Sequence, residues 1–182
     1  LLQTIMHPKE SVIYWDEKLI NKLTIRQRSE IFSMCPQNPS INYSFTTKGF
    51  LKTAFHNRSE NKQRYKELVK TYGLEIHQNK LLSSLSGGER KRAYIARTLI
   101  RDTPVQIFDE PLENLDIHHQ HLFFESLNQN KITIFTNHNF LWLYHIPCTI
   151  IIIENGQIMY EGLNSDVNTV NIVSKHFGLI NS

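Results

Sequence analysis

The chain has 182 residues, of which 40% are apolar and 20% charged, and its formal net charge is +3, from 20 basic and 17 acidic residues. This is the composition of a folded domain and excludes a disordered tail, while the charge is too small to indicate a nucleic-acid partner by itself. No apolar stretch reaches the roughly 18 residues of a membrane span, no secretory signal is recognisable, and the two cysteines, Cys35 and Cys148, form no CxxC motif, which favours a reducing compartment.

The first half of the chain predicts two short strands followed by a mainly helical region, from the β-rich clusters and the helical spacing of its apolar residues. In chain order we expect the end of a helix at Leu1–Met6, a strand at Ser11–Trp15, a polar turn at Asp16–Lys22, a strand at Ile31–Cys35 that Pro36 stops, a loop carrying Gln37, and a helix within Glu60–Tyr72.

In the second half, predicted strands and helices alternate, which indicates an α/β sheet. We expect a helix at Gly87–Arg101, a buried strand at Val105–Phe108, a helix at Ile117–Asn128, a buried strand at Ile132–Phe135, a hairpin of Thr149–Ile153 and Gln157–Tyr160 around Asn155-Gly156, and a helix at Asp166–Phe177 capped by Gly178. A mostly helical insert is expected between about Asn42 and Leu82.

The residues Leu85-Ser-Gly-Gly-Glu89 lead into the first of these helices. A helix start without large side chains presents free N–H groups and the positive end of the helix dipole, and the two glycines let an anion come close. Ser86 and Glu89 also fit the S-x-x-E capping box of an ordinary helix start. The residues alone leave both interpretations open.

The strand at Val105–Phe108 ends on two acids. At the carboxyl end of a strand in an open α/β sheet, Asp109 could hold Mg²⁺ and Glu110 could orient a water molecule, or both could belong to a solvated turn. Gln37, Asp116 and His138 follow other predicted elements; their structural alternatives are a loop residue, a helix N-cap and a structural histidine.

The seven glycines of the printed chain form neither GxxxxGK[ST] nor GxGxxG. The printed sequence therefore contains no P-loop and no dinucleotide-binding loop.

Taken in order, Gln37, Leu85–Glu89, Val105–Glu110, Leu115-Asp116 and His138 resemble the nucleotide-binding domain of ABC transporters, over nearly the whole chain. The resemblance implies an α/β, P-loop NTPase-like core with a mainly parallel sheet. Residues 1–182 would be a partial ABC ATPase domain, with a helical subdomain at about 42–102 and a RecA-like remainder. By the same resemblance Leu1 would fall just after the Walker A loop, so that the N-terminal strands and the P-loop are missing.

The resemblance also implies ATP and Mg²⁺ as cofactors and assigns roles to individual residues. The catalytic residues would be Glu110, His138 and Gln37; the metal ligands Asp109 and Gln37; and the nucleotide-binding residues Ser86, Gly87, Gly88, Glu89 and Asp116. Two such domains would sandwich ATP, with Ser86 and Gly88 acting on nucleotide held by the partner. We therefore expect Gly88→Asp to abolish turnover with little loss of stability.

Within the family, the GER form of the signature and Leu115–Gln120 resemble importers of the iron–siderophore, haem and cobalamin type. The chain would be the ATP-hydrolysing subunit of such an importer, a homodimer bound to transmembrane permease subunits at the cytoplasmic face of the membrane, with no nucleic acid. The insert after Gln37 would dock the permease. Two residues depart from the family pattern, Leu112 in place of a small hydroxyl residue and Asn139 in place of an acid.

Two alternatives and one minor site remain open at the level of sequence. Without Walker A the chain would be a catalytically inactive remnant that acts, if at all, as a non-enzymatic partner, and we expect the isolated chain to bind MgATP far more weakly than an intact homologue. An ABC-type protein of translation or DNA repair is the other alternative, but the interval between Gln37 and Ser86, about 50 residues, leaves no room for a coiled-coil insert. His118, His119 and His121 suggest a metal site, although on a helix they do not converge.

Overall fold

The structure is a computed structural model that describes residues 13–37, 44–55, 61–138 and 146–176. The expectations for Leu1–Met6, Asn139 and Gly178 lie outside these residues. The chain forms two compact units, Leu1–Thr136 and Asn137–Ser182. None of the helices within the four described ranges has the length and apolar composition that crossing a membrane requires.

Within the residues described, the first unit combines a small hairpin, a parallel sheet and five α-helices. The longest of these helices spans Gly87–Arg101. Its elements are β1 (Tyr14–Trp15), β2 (Lys18–Leu19), α1 (Ile25–Ile31), β3 (Phe32–Cys35), α2 (Thr47–Lys52), α3 (Lys62–Thr71), α4 (Gly87–Arg101), β4 (Val105–Phe108), α5 (Ile117–Glu125) and β5 (Ile132–Phe135), with 3₁₀ turns at Ile20–Lys22, Thr53–Phe55, Glu75–His77 and Leu82–Ser84. The predicted ends of α4, β4 and β5 are confirmed, whereas α5 ends three residues before the predicted Asn128.

Helix α1 and strand β2 were not predicted, and the reason is physical. Helix α1 has no buried residue, so it carries no apolar stripe from which a helical period could be recognised. A capping box instead starts it, in which Thr24 and Gln27 exchange side-chain and backbone hydrogen bonds. Strand β2 forms because Asp16 and Glu17 both adopt positive φ and turn the chain back on β1.

The three strands β3, β4 and β5 pair side by side and all run parallel. Their register aligns Cys35 with Phe108 and Phe108 with Phe135, so that the three strands end together. The predicted parallel α/β sheet is confirmed. The residues after the strands, among them Gln37, Asp109 and Thr136, therefore leave the sheet at one edge.

Strand β4 is buried at every position, but β5 is not the buried strand that we expected. Ile132 is 54% exposed, because β5 pairs with β4 on one side and has no second strand beside it among the described residues. A run of apolar residues does not by itself distinguish a central strand from a strand that ends the sheet.

Helix α4 is the packing axis of the first unit. It contacts β3 and β4 and also α2 and α3, with Ala93, Ile95, Ala96 and Leu99 fully buried. The helical elements between residues 44 and 101 are thus gathered on α4, while the helical subdomain at about 42–102 stays a prediction.

The second unit contains the hairpin of β6 (Thr149–Glu154) and β7 (Gln157–Leu163), followed by α6 (Val167–His176). Asn155 and Gly156 both have positive φ, the conformation of a type I′ turn, which confirms the predicted hairpin.

Candidate functional site

The candidate site begins where β3, β4 and β5 end. The N–H of Asp109 donates to the carbonyl of Cys35 at 2.8 Å, and the N–H of Thr136 donates to the carbonyl of Phe108 at 3.0 Å. These two bonds continue the sheet ladder one residue beyond the strands. The backbone of the candidate residues is therefore held as firmly as the sheet itself.

Thr136 joins the two acids of the site. Its hydroxyl donates to Oδ1 of Asp109 at 2.8 Å and accepts from the N–H of Glu110 at 2.9 Å. Thr136 was not among the predicted site residues. Aligning the ends of the three parallel strands would have placed its hydroxyl beside Asp109.

Gln37 and Glu110 are 73 residues apart in the chain and meet at the edge of the sheet. The side-chain amide of Gln37 donates to Oε2 of Glu110 at 3.0 Å and, more weakly, to Oε2 of Glu113 at 3.4 Å. The structure thus brings Gln37 to the acid pair Asp109-Glu110. Their catalytic roles stay predictions.

The loop that follows β4 is held in an unfavourable backbone conformation at two residues. Glu110 has φ of +45° and Asn114 has φ of +62°, both in the left-handed region that residues other than glycine rarely adopt. Such strain persists only where the surroundings enforce it, and it is typical of functional sites. Leu112, the departure from the family pattern, is 5% exposed, so it serves this loop as a core contact.

The donor set at the sheet edge suits Mg²⁺. This ion takes one or two carboxylates together with phosphate oxygens and water, and rarely a cage made of protein alone. Asp109 offers a carboxylate that Thr136 orients. Gln37 offers its side-chain amide oxygen, while the N–H₂ group of the same amide donates to Glu110. Among the described residues no group of three or more His, Cys, Asp or Glu side chains could hold a metal, so an ion here would complete its shell from phosphate and water.

Ser86 and Glu89 form the predicted capping box. The N–H of Glu89 donates to Oγ of Ser86 at 3.3 Å, and the N–H of Ser86 donates to Oε2 of Glu89 at 2.8 Å. The other carboxylate oxygen of Glu89 lies 3.3 Å from Nε2 of the buried His77. The Ser86 backbone N–H lowers the pKa of Glu89 below its ordinary value.

Gly87 and Gly88 have opposite surroundings. A Cβ on Gly87 would meet nothing within 4 Å, whereas a Cβ on Gly88 would lie 2.9 Å from the carbonyl oxygen of Asn114. The expectation that Gly88→Asp would leave stability nearly intact is therefore wrong, because the side chain would collide with backbone. Gly87 is the position of this motif that can be changed without such a collision.

Asp116 caps α5, which is the structural alternative that the sequence left open. Its Oδ1 accepts from the N–H of His119 at 2.9 Å, and this bond lowers the pKa of the Asp116 carboxyl. Nδ1 of His119 lies 2.8 Å from the same carboxylate, and Nε2 lies 3.1 Å from Arg92 of α4. With Nδ1 protonated, His119 donates to Asp116 and accepts from Arg92. A nucleotide-binding role for Asp116 stays a prediction.

His138 belongs to the second unit, where its side chain is exposed. Its role also stays a prediction.

The family profile described as "ABC transporter" matches residues 1–113. Similar curated proteins include the Fe(3+) ions import ATP-binding protein FbpC of Escherichia coli O157:H7, 27% identical over 92% of this chain and 50% of its own length, and the petrobactin import ATP-binding protein FpuC of Bacillus anthracis, 27% identical over 98% and 71%. The chain spans about half the length of the first of these relatives.

Solved structures show the same fold. The structure titled "Structure of ATP binding subunit of ABC transporter" superposes with a TM-score of 0.76 over 100% of this chain and 77% of its own, at 19% identity. A putative metal-chelate type ABC transporter in an inward-facing conformation superposes with a TM-score of 0.65 over 81% and 64%, also at 19% identity. At this identity the likeness establishes the α/β architecture.

The first prediction concerns the two glycines. Gly88→Ala should lower the free energy of unfolding by about 1–3 kcal/mol, because the new methyl group overlaps the Asn114 carbonyl. Gly87→Ala, the matched control, should change it by less than about 1 kcal/mol, since the methyl group enters open space and alanine is a good helix former. Urea unfolding followed by circular dichroism measures both; equal effects would contradict the close approach.

The second prediction concerns pH. Because the folded state lowers the pKa of Glu89 from its usual 4.5, its charge stabilises the fold above that value, and this contribution is lost as the pH falls through the lowered pKa. Glu89→Gln keeps an oxygen acceptor for the Ser86 N–H but has no charge to lose. The stability advantage of the parent over this variant should therefore be largest at pH 6–7 and shrink between about pH 5 and pH 3. A constant difference over this range would refute the role of the charge.

Proposed function

Because this chain belongs to the ABC transporter family of ATP-binding domains, we propose that, when joined to a P-loop segment, it binds ATP with Mg²⁺ and transfers the γ-phosphoryl group to water. The observation that supports this most directly is the hydrogen-bonded set at the sheet edge, in which Gln37 meets Glu110 and Thr136 orients Asp109. In phosphoryl transfer, positioning and charge stabilisation supply most of the catalysis. The polar residues at this edge are arranged for both.

Each residue of the set has a separate task in this proposal. Asp109 and the amide oxygen of Gln37 would hold Mg²⁺, which when bound neutralises charge on the phosphate oxygens. Glu110 orients the attacking water and accepts its proton. Gln37 holds the Glu110 carboxylate by its amide N–H₂, so the same side chain connects the acid to the metal site.

The start of α4 acts on a second nucleotide, held by the P-loop of a partner subunit. Ser86, Gly87 and Gly88 present the N-terminus of α4, which favours a phosphate group. The proximity of Gly88 to Asn114 supports a common surface for this motif and the loop that ends at Asp116. Glu89 keeps that helix start in shape through the capping box.

We further propose that hydrolysis powers an importer of iron chelates. The names of the relatives support this, since they describe import ATP-binding proteins for Fe(3+) ions and petrobactin. The protein would then work as a homodimer on the cytoplasmic face of the membrane and bind transmembrane permease subunits through the helical region that follows Gln37.

The third prediction tests the catalytic acid in a chimera, in which a strand–GxxxxGK[ST]–helix segment precedes Leu1. Glu110→Gln should lower kcat at least about 100-fold, because the amide cannot accept a proton from water, while ATP binding stays within about threefold. Steady-state phosphate release and equilibrium dialysis measure the two. Glu113→Gln, which removes only the charge of the more distant acceptor of Gln37, should lower kcat less than about tenfold.

A Glu110→Gln chimera with near-normal kcat would remove Glu110 from the mechanism. A parent chimera that binds ATP without turnover would instead contradict the proposed hydrolysis.

The fourth prediction tests the partner contact in the Glu110→Gln chimera. Gly87→Asp should abolish ATP-dependent dimerisation while single-subunit ATP binding persists, because the new carboxylate repels phosphate at the start of α4, whereas a Cβ at this position meets no protein atom within 4 Å. Light scattering with and without ATP distinguishes the two states, and Gly87→Ala is the neutral control. A Gly87→Asp protein that still dimerises with ATP would leave this motif with its capping role alone.

A further inference from the structure

Lys91 is a buried cation on α4, one turn after Gly87. Lys91 is 6% exposed. Its ammonium donates hydrogen bonds of 3.3 Å to the backbone carbonyl of Gln37 and of 3.3 Å to the backbone carbonyl of Asp109. These two carbonyls belong to the two residues proposed to hold Mg²⁺. The Gln37–Glu110 bond also joins the loop after β3 to the end of β4, but it does so through side chains, whereas Lys91 binds the backbone of both segments.

Burying an ammonium is costly unless its hydrogen bonds compensate. The acceptors of Lys91 are neutral carbonyls, and a methionine of similar length would occupy the same space with no charge to desolvate. The core therefore does not need a lysine at this position for packing. What the lysine adds is a pair of charge-assisted hydrogen bonds to two segments that are distant in sequence.

We propose that Lys91 is a positioning residue for hydrolysis, whose ammonium fixes the backbone of Gln37 relative to that of Asp109 and ties both to α4. The tie itself stands on geometry, whereas its consequence for catalysis rests on the proposed function. Four residues separate Lys91 from Gly87, a rise of about 6 Å along the helix. A displacement of the phosphate-facing end of α4 therefore reaches Gln37 and Asp109 through Lys91.

Cys35 provides a probe of this tie. It lies two residues before Gln37, it is fully buried, and its carbonyl accepts the N–H of Asp109. Because the thiol is fully buried, it reacts with an alkylating agent only when this segment opens. Cys148, the other cysteine, lies in the second unit and serves as an internal reference.

The test compares Lys91→Met with Arg101→Met in the printed chain. Arg101 is also buried on α4 and also donates to backbone carbonyls, those of Ser29 and Ala54, but it contacts neither Gln37 nor Asp109. Lys91→Met should raise the alkylation rate of Cys35 about tenfold, the order expected for losing a charge-assisted hydrogen bond, with the rate of Cys148 and the melting temperature nearly unchanged. Arg101→Met should lower the melting temperature and raise no rate selectively at Cys35.

Lys91→Gln is neutral and too short to reach both carbonyls, so it should also raise the alkylation rate of Cys35 and not that of Cys148. This variant replaces Lys91→Met in the test if Lys91→Met does not fold. The proposal is overturned if Cys35 stays protected in the folded variants, if both cysteines accelerate equally, or if neither variant folds, since Lys91 would then serve general stability.

The catalytic consequence is measured separately in the chimera, where Lys91→Met should lower kcat about tenfold with KM for ATP within about twofold. An unchanged kcat, or a change confined to KM, would overturn the catalytic part. If the parent chimera does not hydrolyse ATP, the proposed function fails, while the alkylation rates still decide whether Lys91 forms the tie.

Discussion

Parallel pairing of β3, β4 and β5 with aligned ends is the constraint on which the candidate site depends. Gln37, Asp109 and Thr136 come from three distant parts of the chain, and they meet because each follows one of these strands at the same edge of the sheet. A shift of one residue in the β3–β4 register would move Gln37 by about 3.3 Å, which is longer than its bond to Glu110. The register of the sheet therefore determines where the backbone of the site residues lies, and their side-chain contacts depend on it.

Helix α4 connects this edge of the sheet to the rest of the first unit. Its apolar residues pack between the sheet and the smaller helices, while its long polar residues reach past the core to specific carbonyls: Lys91 to Gln37 and Asp109, Arg92 to Tyr72, and Arg101 to Ser29 and Ala54. Each of these bonds ends on backbone, which fixes the position of a segment rather than the rotamer of one side chain. The helix thus fixes the backbone of the loop after β3, of the end of β4, of α1, of the end of α3 and of the 3₁₀ turn at Thr53–Phe55.

The sequence predicts those parts of the molecule that have a local cause. Helix α4 begins at a capping box, β4 is a short apolar run before two acids, and the Asn155-Gly156 turn favours positive φ, so all three could be recognised from neighbouring residues. Helix α1, the exposure of β5, the contacts of Lys91 and the collision at Gly88 depend on what lies across the fold. The site residues were found because their order resembles a family, whereas Thr136 needed the register of the sheet and Lys91 needed the packing of α4 against β3 and β4.

The two interpretations of Ser86 that the sequence left open turn out to be compatible. The cap uses the N–H of Glu89, and the N–H of Arg90 bonds to the Ser86 carbonyl as the first turn of the helix. The N–H groups of Gly87 and Gly88 are then the ones that the helix ladder does not use. Because Glu89 bonds back to Ser86 and lies against His77, its carboxylate is held by protein groups rather than placed over those two N–H groups. The capping box therefore shapes the helix start without using the two glycine N–H groups, which is the condition that the proposed contact with a phosphate group requires.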